Sequence, residues 1–138
     1  MMEDAPSIQK HFNNWDIIQH LNSNVPWPYP DDGAETFLRE NLLPRMENGD
    51  TYGWVITEKD GDDSAIGLIE FGGKKHNAGN RGFWLGADYH GKGYMTEAIY
   101  AVNDFVFNEL KIEKYEVVNA VTNEASRKIK QKTGGIFV

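Results

Sequence analysis

One stretch, GFWLGADYHGKGYM at residues 82–95, limits what this chain can fold into more than any other. Its apolar head, GFWLG at 82–86, predicts a short buried strand running directly into a glycine-rich turn. Met95, Ala98, Val102, Phe105, Val106 and Leu110 then recur at helical spacing, which predicts a long amphipathic helix from Gly91 or Lys92 to about Glu109. A strand, a glycine turn and a helix in that order make a good anion site. Gly91 and Gly93 let backbone N–H groups approach a phosphate, the helix N-terminus adds partial positive charge, and Lys92 reinforces it. The same glycines also serve if they do no more than permit a tight strand-to-helix turn, and the residues alone leave both readings open.

The phosphate chemistry is narrowed by what the stretch lacks. Gly86, four residues, Gly91 and Lys92 form the front of a P-loop, but Gly93 stands where that motif needs a hydroxyl for magnesium. No aspartate-ended apolar strand offers a second magnesium ligand, so a nucleotide triphosphatase is disfavoured. The G-x-G-x-x-G spacing of a dinucleotide fold is absent too.

At 138 residues the chain has room for one hydrophobic core, so a single domain over 1–138 is expected. Hydrophobic content of 40% with 25% charged residues is globular composition. A net charge of −7 argues against nucleic acid or an anionic membrane as main partner. With no cysteine there is neither a disulfide nor a thiol nucleophile. The start is acidic without an apolar core, and no apolar run nears the roughly 20 residues of a membrane span, so a cytoplasmic location is expected.

Ile8, Phe12, Trp15, Ile18 and Leu21 predict helix from Ala5 to Leu21, broken or split at Asn13-Asn14. The segment Val25-Pro-Trp-Pro-Tyr-Pro30 cannot be helical and reads as a rigid loop displaying Trp27 and Tyr29. Asp31 or Asp32 is then positioned to cap a helix with Ala34, Phe37, Leu38 and Leu42 inward, which Pro44 should kink or end. Tyr52 to Glu58 and Ser64 to Phe71 predict a hairpin around a polar turn at Lys59 to Asp63. A strand at 115–121, a helix at 124–132 and the opening of a strand at 136–138 complete the expected order.

The combination of GFWLGADYHGKGYMTEAI with Val121-Thr-Asn-Glu-Ala-Ser126 and Lys132-Thr-Gly134 resembles the GNAT superfamily of N-acetyltransferases, most closely the branch of ribosomal-protein N-terminal acetyltransferases. The resemblance covers nearly the whole chain. It implies an α/β (α+β) fold, a mixed and mostly antiparallel twisted sheet flanked by helices, and acetyl-coenzyme A as co-substrate without a metal. The family signature Gln/Arg-x-x-Gly-x-Gly/Ala maps onto His90, Gly91, Lys92, Gly93, Tyr94 and Met95, whose amides would hold the pyrophosphate. His90 departs from Gln or Arg. Met95 departs from a small residue, and is expected to point into the apolar face of the helix.

The implied chemistry is direct attack of a primary amine, from a protein N-terminus or a small molecule, on the acetyl thioester. By the same resemblance, backbone groups of Phe83, Trp84 and Leu85 align the pantetheine arm, Asn123 holds it, and Ser126 donates to the departing thiolate. Asn123 and Ser126 serve equally well as a helix cap. Arg127 opens a basic run with Lys128, Lys130 and Lys132 that is either a solvated face or a contact to the 3′-phosphate. Asn80 stands where the family often has an acidic residue. Glu70 is then the best carboxylate base, with His76 behind it, and a structural role is the alternative for both. Trp27, Tyr29 and Asn80 are the acceptor-side candidates, the two aromatics otherwise covering core.

Relative to the resemblance, the family's first and last strands are expected to be missing. That leaves a fragment, a chain completed by a partner or homodimer, or a coenzyme-binding module with impaired catalysis as open alternatives.

Overall fold

The sheet is apolar on both faces, and this decides the layering. In the computed structural model, residues 1–18, 25–72, 80–111, 128, 129 and 131 are described. Strands β1 (Thr51–Ile56), β2 (Gly67–Gly72) and β3 (Asn80–Leu85) form an antiparallel sheet in that order. The register runs from Ile56↔Gly67↔Leu85 at one end to Thr51↔Gly72↔Asn80 at the other. Successive side chains alternate between faces. Thus Val55, Leu68 and Trp84 fall in one cross-strand row, and Trp54, Ile69 and Phe83 in the next, on the opposite face.

The first face is covered by the helices that precede the sheet. They are α1 (Ala5–Phe12), α2 (Trp15–Ile18), α3 (Gly33–Phe37) and α4 (Leu43–Glu47). Ile8, Phe12, Ile17, Ile18, Ala34, Leu38 and Leu42 pack there with Leu68. The second face is covered by α5 (Tyr94–Asp104), through Met95, Ile99, Val102 and, one turn further, Val106. Arg81, buried at the start of β3, donates to Asn103 Oδ1 on α5 (3.0 Å) and fixes that strand against the helix. None of the described helices is long and apolar enough to cross a membrane.

The break at Asn13-Asn14 is real, and its consequence is a shift of helical phase. The Asn14 carbonyl accepts from Ile17 and Ile18 N–H (both 3.0 Å), and its side-chain oxygen accepts from Asp16 N–H (2.9 Å). Because α2 restarts there, Ile17 is buried and Trp15 is 49% exposed, so Trp15 does not belong to the inward stripe its spacing predicts.

Asp32 occupies the cap position of α3 without capping it. Gln9 on α1 does so instead: its Oε1 accepts from Ala34 N–H (2.9 Å) and its Nε2 donates to the Pro30 carbonyl (2.8 Å). Pro44 does not end the helix, which continues through it to Glu47, as Met46 at helical spacing allows. Leu38–Leu42 winds as a π-helix, with Leu43 N–H reaching back to the Leu38 carbonyl. The wider turn gives the proline ring room immediately before the position where an α-helical donor is missing.

The hairpin is present, with each strand shorter at the turn than expected and a connection over 57–66. Ile99, absent from the predicted inward stripe, is fully buried on α5. The strands expected at 115–121 and 136–138 lie outside the described residues. So does most of the helix expected at 124–132, of which 128, 129 and 131 are helical.

Ile99→Ala removes a side chain with no solvent exposure from the contact between α5 and the sheet. It should lower unfolding free energy by about 2–5 kcal/mol, read as a reduced midpoint in urea with little change in slope.

Candidate functional site

The end of β3 and the start of α5 meet in a loop whose backbone is held on one side and open on the other. Gly86 N–H donates to the Ile66 carbonyl (2.8 Å), extending the pairing with β2 by one step. A Cβ at Gly86 would lie 3.1 Å from His11 Nδ1, so any side chain there would oblige the His11 ring to give by a few tenths of an ångström. Ala87–Tyr89 makes one 3-10 turn, with Tyr89 N–H donating to Gly86 (3.0 Å). The His90 ring then folds back, and its Nε2–H donates to the Leu85 carbonyl (2.7 Å). That tautomer follows because a carbonyl can only accept.

Gly91 and Gly93 both take left-handed conformations, φ 77° and 81°. This is why α5 begins at Tyr94 and not at Gly91 or Lys92. Among the described residues, chain neighbours aside, no atom lies within 4 Å of a Cβ built on either glycine, so these residues leave the loop's backbone open there. No side chain caps α5, and Glu97 N–H makes the first helical bond, to the Gly93 carbonyl (3.0 Å). The amides of Tyr94, Met95 and Thr96 are therefore the helix's orphan donors. His90 N–H turns inward to Ala87 (3.3 Å), so the open amides begin at Gly91. A left-handed turn leading into a helix N-terminus is an arrangement of backbone donors suited to an anion. Met95 points away from it and is buried against the sheet, as its place in the helical stripe predicts.

The closed side of the loop is a cluster of rings that the sequence did not announce. Lys92 Nζ sits 5.7 Å from the centroid of Tyr89, a cation–π distance. Tyr89 stacks near Tyr94 (6.4 Å) and receives His11 edge-on (5.6 Å). The Tyr94 hydroxyl donates to Glu58 Oε2 (3.0 Å), from the connection after β1. That hydrogen bond, with the carboxylate's charge behind it, pushes the Tyr94 phenol above its usual range.

Phe83, Trp84 and Leu85 face the core with their side chains, Trp84 lying 5.1 Å from the Phe12 ring. What they offer a ligand is backbone: among the described residues β3 pairs with β2 on one edge and with no strand on the other. Glu70 lies on the face of α1 to α4, three residues along β2 from the end at Gly67 and hence about 10 Å from it. Its cross-strand neighbours are Gly53 and Gly82, and space beside Gly82 is open, while its Oε1 is held by Arg45 (2.6 Å). Asn80 opens β3 opposite Gly72.

Trp27 and Tyr29 part company. Trp27 is 47% exposed and rests against Trp15 (5.4 Å), whereas Tyr29 lies edge-on to Phe12 (5.0 Å) and directly over Gly33. Burial, with Asp32 nearby, raises the Tyr29 phenol's pKa. His76, Asn123, Ser126 and Arg127 lie outside the described residues. Thr96, Tyr89, Glu58 and His11 were missed; only Thr96 had a signal, as the third amide of a helix expected to start nearby.

Comparison with known proteins identifies the family and the fold. The profile of the acetyltransferase (GNAT) domain matches residues 1–136. YdaF of Bacillus subtilis, provisionally named a ribosomal N-acetyltransferase, is 32% identical, over 86% of this chain and 67% of that protein. RimL, a ribosomal L7/L12 alpha-N-protein acetyltransferase solved with coenzyme A, superposes with a TM-score of 0.80 at 16% identity, covering 97% of this chain and 75% of that one. Spermidine N-acetyltransferase of Vibrio cholerae, solved with coenzyme A and spermine, gives 0.73 at 21% identity, covering 96% and 75%. The two structures share the fold, a mixed α/β arrangement of helices on an antiparallel sheet. With its fold and nearly its whole length matched, the chain belongs to the GNAT acetyltransferase family, enzymes that move an acetyl group from acetyl-coenzyme A to an amine.

Proposed function

We propose that residues 1–138 form one acetyltransferase domain in which the loop from His90 to Met95 holds the diphosphate of acetyl-coenzyme A. The observation that carries this is the pair of left-handed glycines, Gly91 and Gly93, with open space where a side chain would stand. The amides of Gly91 to Thr96 supply the donors, Lys92 adds mobile positive charge, and His90 braces the turn against Leu85. No metal is part of this reading, because backbone donors and a helix N-terminus meet the diphosphate directly. The free edge of β3 at Phe83 to Leu85 aligns the pantetheine arm and polarises the thioester carbonyl.

In the transfer itself the amine nitrogen bonds to the carbonyl carbon and the carbon–sulfur bond breaks. The nitrogen sheds a proton and the departing sulfur gains one. We assign Ser126 as the donor to sulfur, Asn123 to the arm and Arg127 to the 3′-phosphate, by the family pattern. Glu70, beside the open space at Gly82, is the carboxylate in reach of an acceptor crossing that face. The acceptor in this reading is a protein N-terminus, supported by the 32% identity to a protein named for ribosomal acetylation. A small polyamine is the other acceptor. The grip of Arg45 on Glu70 favours a second reading, a coenzyme-binding module with impaired catalysis. In that case coenzyme A binds and no amine is acetylated.

Gly93→Asn keeps a residue that tolerates left-handed backbone but puts a side chain on the open face. Titration calorimetry should show coenzyme A affinity down by about tenfold or more, a loss of about 1.4 kcal/mol, with the melting temperature nearly unchanged. Lys92→Ala should cost only about 1 kcal/mol, as for an exposed charge. Binding should survive chelator; its loss on removing magnesium would overturn the assignment.

Ser126→Ala should lower turnover by about ten- to a thousandfold while the Michaelis constant moves little, since the donor acts in the transition state. Unchanged turnover with a lower melting temperature would identify Ser126 as a helix cap alone.

A further inference from the structure

The cradle has a weakness that its own residues do not correct. Two left-handed glycines, separated only by Lys92, join the loop to α5, and among the described residues no side chain caps the helix. Glycine gives the chain more backbone freedom than any other residue, and a binding site must lose that freedom when it closes on a ligand. His90 braces one end of the loop and buried Met95 anchors the inner side of the first turn of α5, which leaves the outer side of that turn, at Tyr94, to be held from elsewhere.

That contact comes from the connection after β1. Tyr94 is the first residue of α5, and its hydroxyl donates to Glu58 Oε2 at 3.0 Å, across a sequence separation of 36 residues. The stack of Tyr94 near Tyr89, with Lys92 above Tyr89, extends the contact back along the loop. Glu58 is anchored two residues beyond the end of β1, where Ile66 N–H donates to the Ile56 carbonyl (2.8 Å) and Gly86 N–H donates in turn to the Ile66 carbonyl (2.8 Å). One hydrogen bond thus ties the helix start to the same strand ends from which the loop departs.

The charge on Glu58 makes the arrangement informative. A carboxylate beside an anion site opposes anion binding by Coulomb repulsion, so its charge is no asset to the cradle. Its usefulness there lies in its geometry. We propose that Glu58 is a positioning residue for the coenzyme's diphosphate, acting through Tyr94, which it holds so that the amides of Gly91 to Thr96 converge before the ligand arrives. The inference rests on the proposed coenzyme site. It adds a residue from a separate segment that touches neither the diphosphate nor the reacting atoms.

The test is a double-mutant cycle on the full chain, with coenzyme A as the probe, read by titration calorimetry and accompanied by melting curves. Glu58→Ala and Tyr94→Phe should each weaken coenzyme A binding by about three- to tenfold, the worth of one partly exposed hydrogen bond. The double variant should be no weaker than either single one, because both remove the same contact. Glu58→Gln keeps an acceptor and drops the negative charge, so it should bind at least as tightly as the unaltered chain. Turnover at saturating acetyl-coenzyme A should stay unchanged in Glu58→Ala and Glu58→Gln, with the effect of Glu58→Ala confined to the Michaelis constant for that substrate. Single variants that bind like the parent, additive losses, or a Glu58→Gln variant as weak as Glu58→Ala would each overturn the positioning role. Failure of the unaltered chain to bind coenzyme A would instead reject the coenzyme site itself, and the inference with it.

Discussion

A sheet that is apolar on both faces must be covered twice, and the rest of this molecule follows from that. The row Val55, Leu68, Trp84 requires helices on one side; the row Trp54, Ile69, Phe83 requires a helix on the other. Burial of side chains this size is worth about 1.5–3 kcal/mol each, so neither face can be left wet. The chain covers the first face before it makes the sheet and the second immediately after β3. To do so it must turn sharply from the end of β3 onto the far face. The loop from Gly86 to Gly93 is that turn, and its exposed amides are a by-product of sending α5 back across the sheet.

Core and site therefore compete for nothing. Met95 shows this most directly: its side chain fills the core under α5 while its amide stays among the unsatisfied donors at the helix start. Along β3 the side chains of Phe83, Trp84 and Leu85 are likewise committed to packing, and the strand's second edge is unpaired among the described residues, apart from the Leu85 carbonyl held by His90. In the proposed reading the binding groups are main-chain atoms, so the side chains that matter around them are those that hold the backbone in place, His90 and the Glu58–Tyr94 pair.

How much of this could be read from the residues depends on the range of the interaction. Gly91 and Gly93 were legible, because left-handed backbone in a tight turn is a local demand that glycine meets almost alone. The break at Asn13-Asn14 was legible for the same reason, but its effect on phase was not: periodicity counted through the break places Trp15 inward, and the fresh start places Ile17 there. The passage of helix through Pro44 depended on a wider turn before it. Glu58 with Tyr94, and Arg45 with Glu70, join segments far apart in the chain, and spacing within a segment carries no information about such pairs. The family resemblance supplied the coenzyme reading, and it too said nothing of Glu58.

The clasp made by Gln9 has a consequence for how this scaffold can diversify. With one amide group Gln9 binds both the Pro30 carbonyl and the Ala34 N–H, so the start of α3 is positioned from α1, across the intervening segment. A helix whose beginning is referenced to a distant element depends on the residues immediately before it, here Tyr29 to Asp32, and less on those further back. The exposed positions Trp15 and Trp27, which lie before that clasp, can then change while α3, α4 and the covered sheet face stay where they are. The side chain at position 9 separates the part of the protein that must be kept from the part that is free to vary.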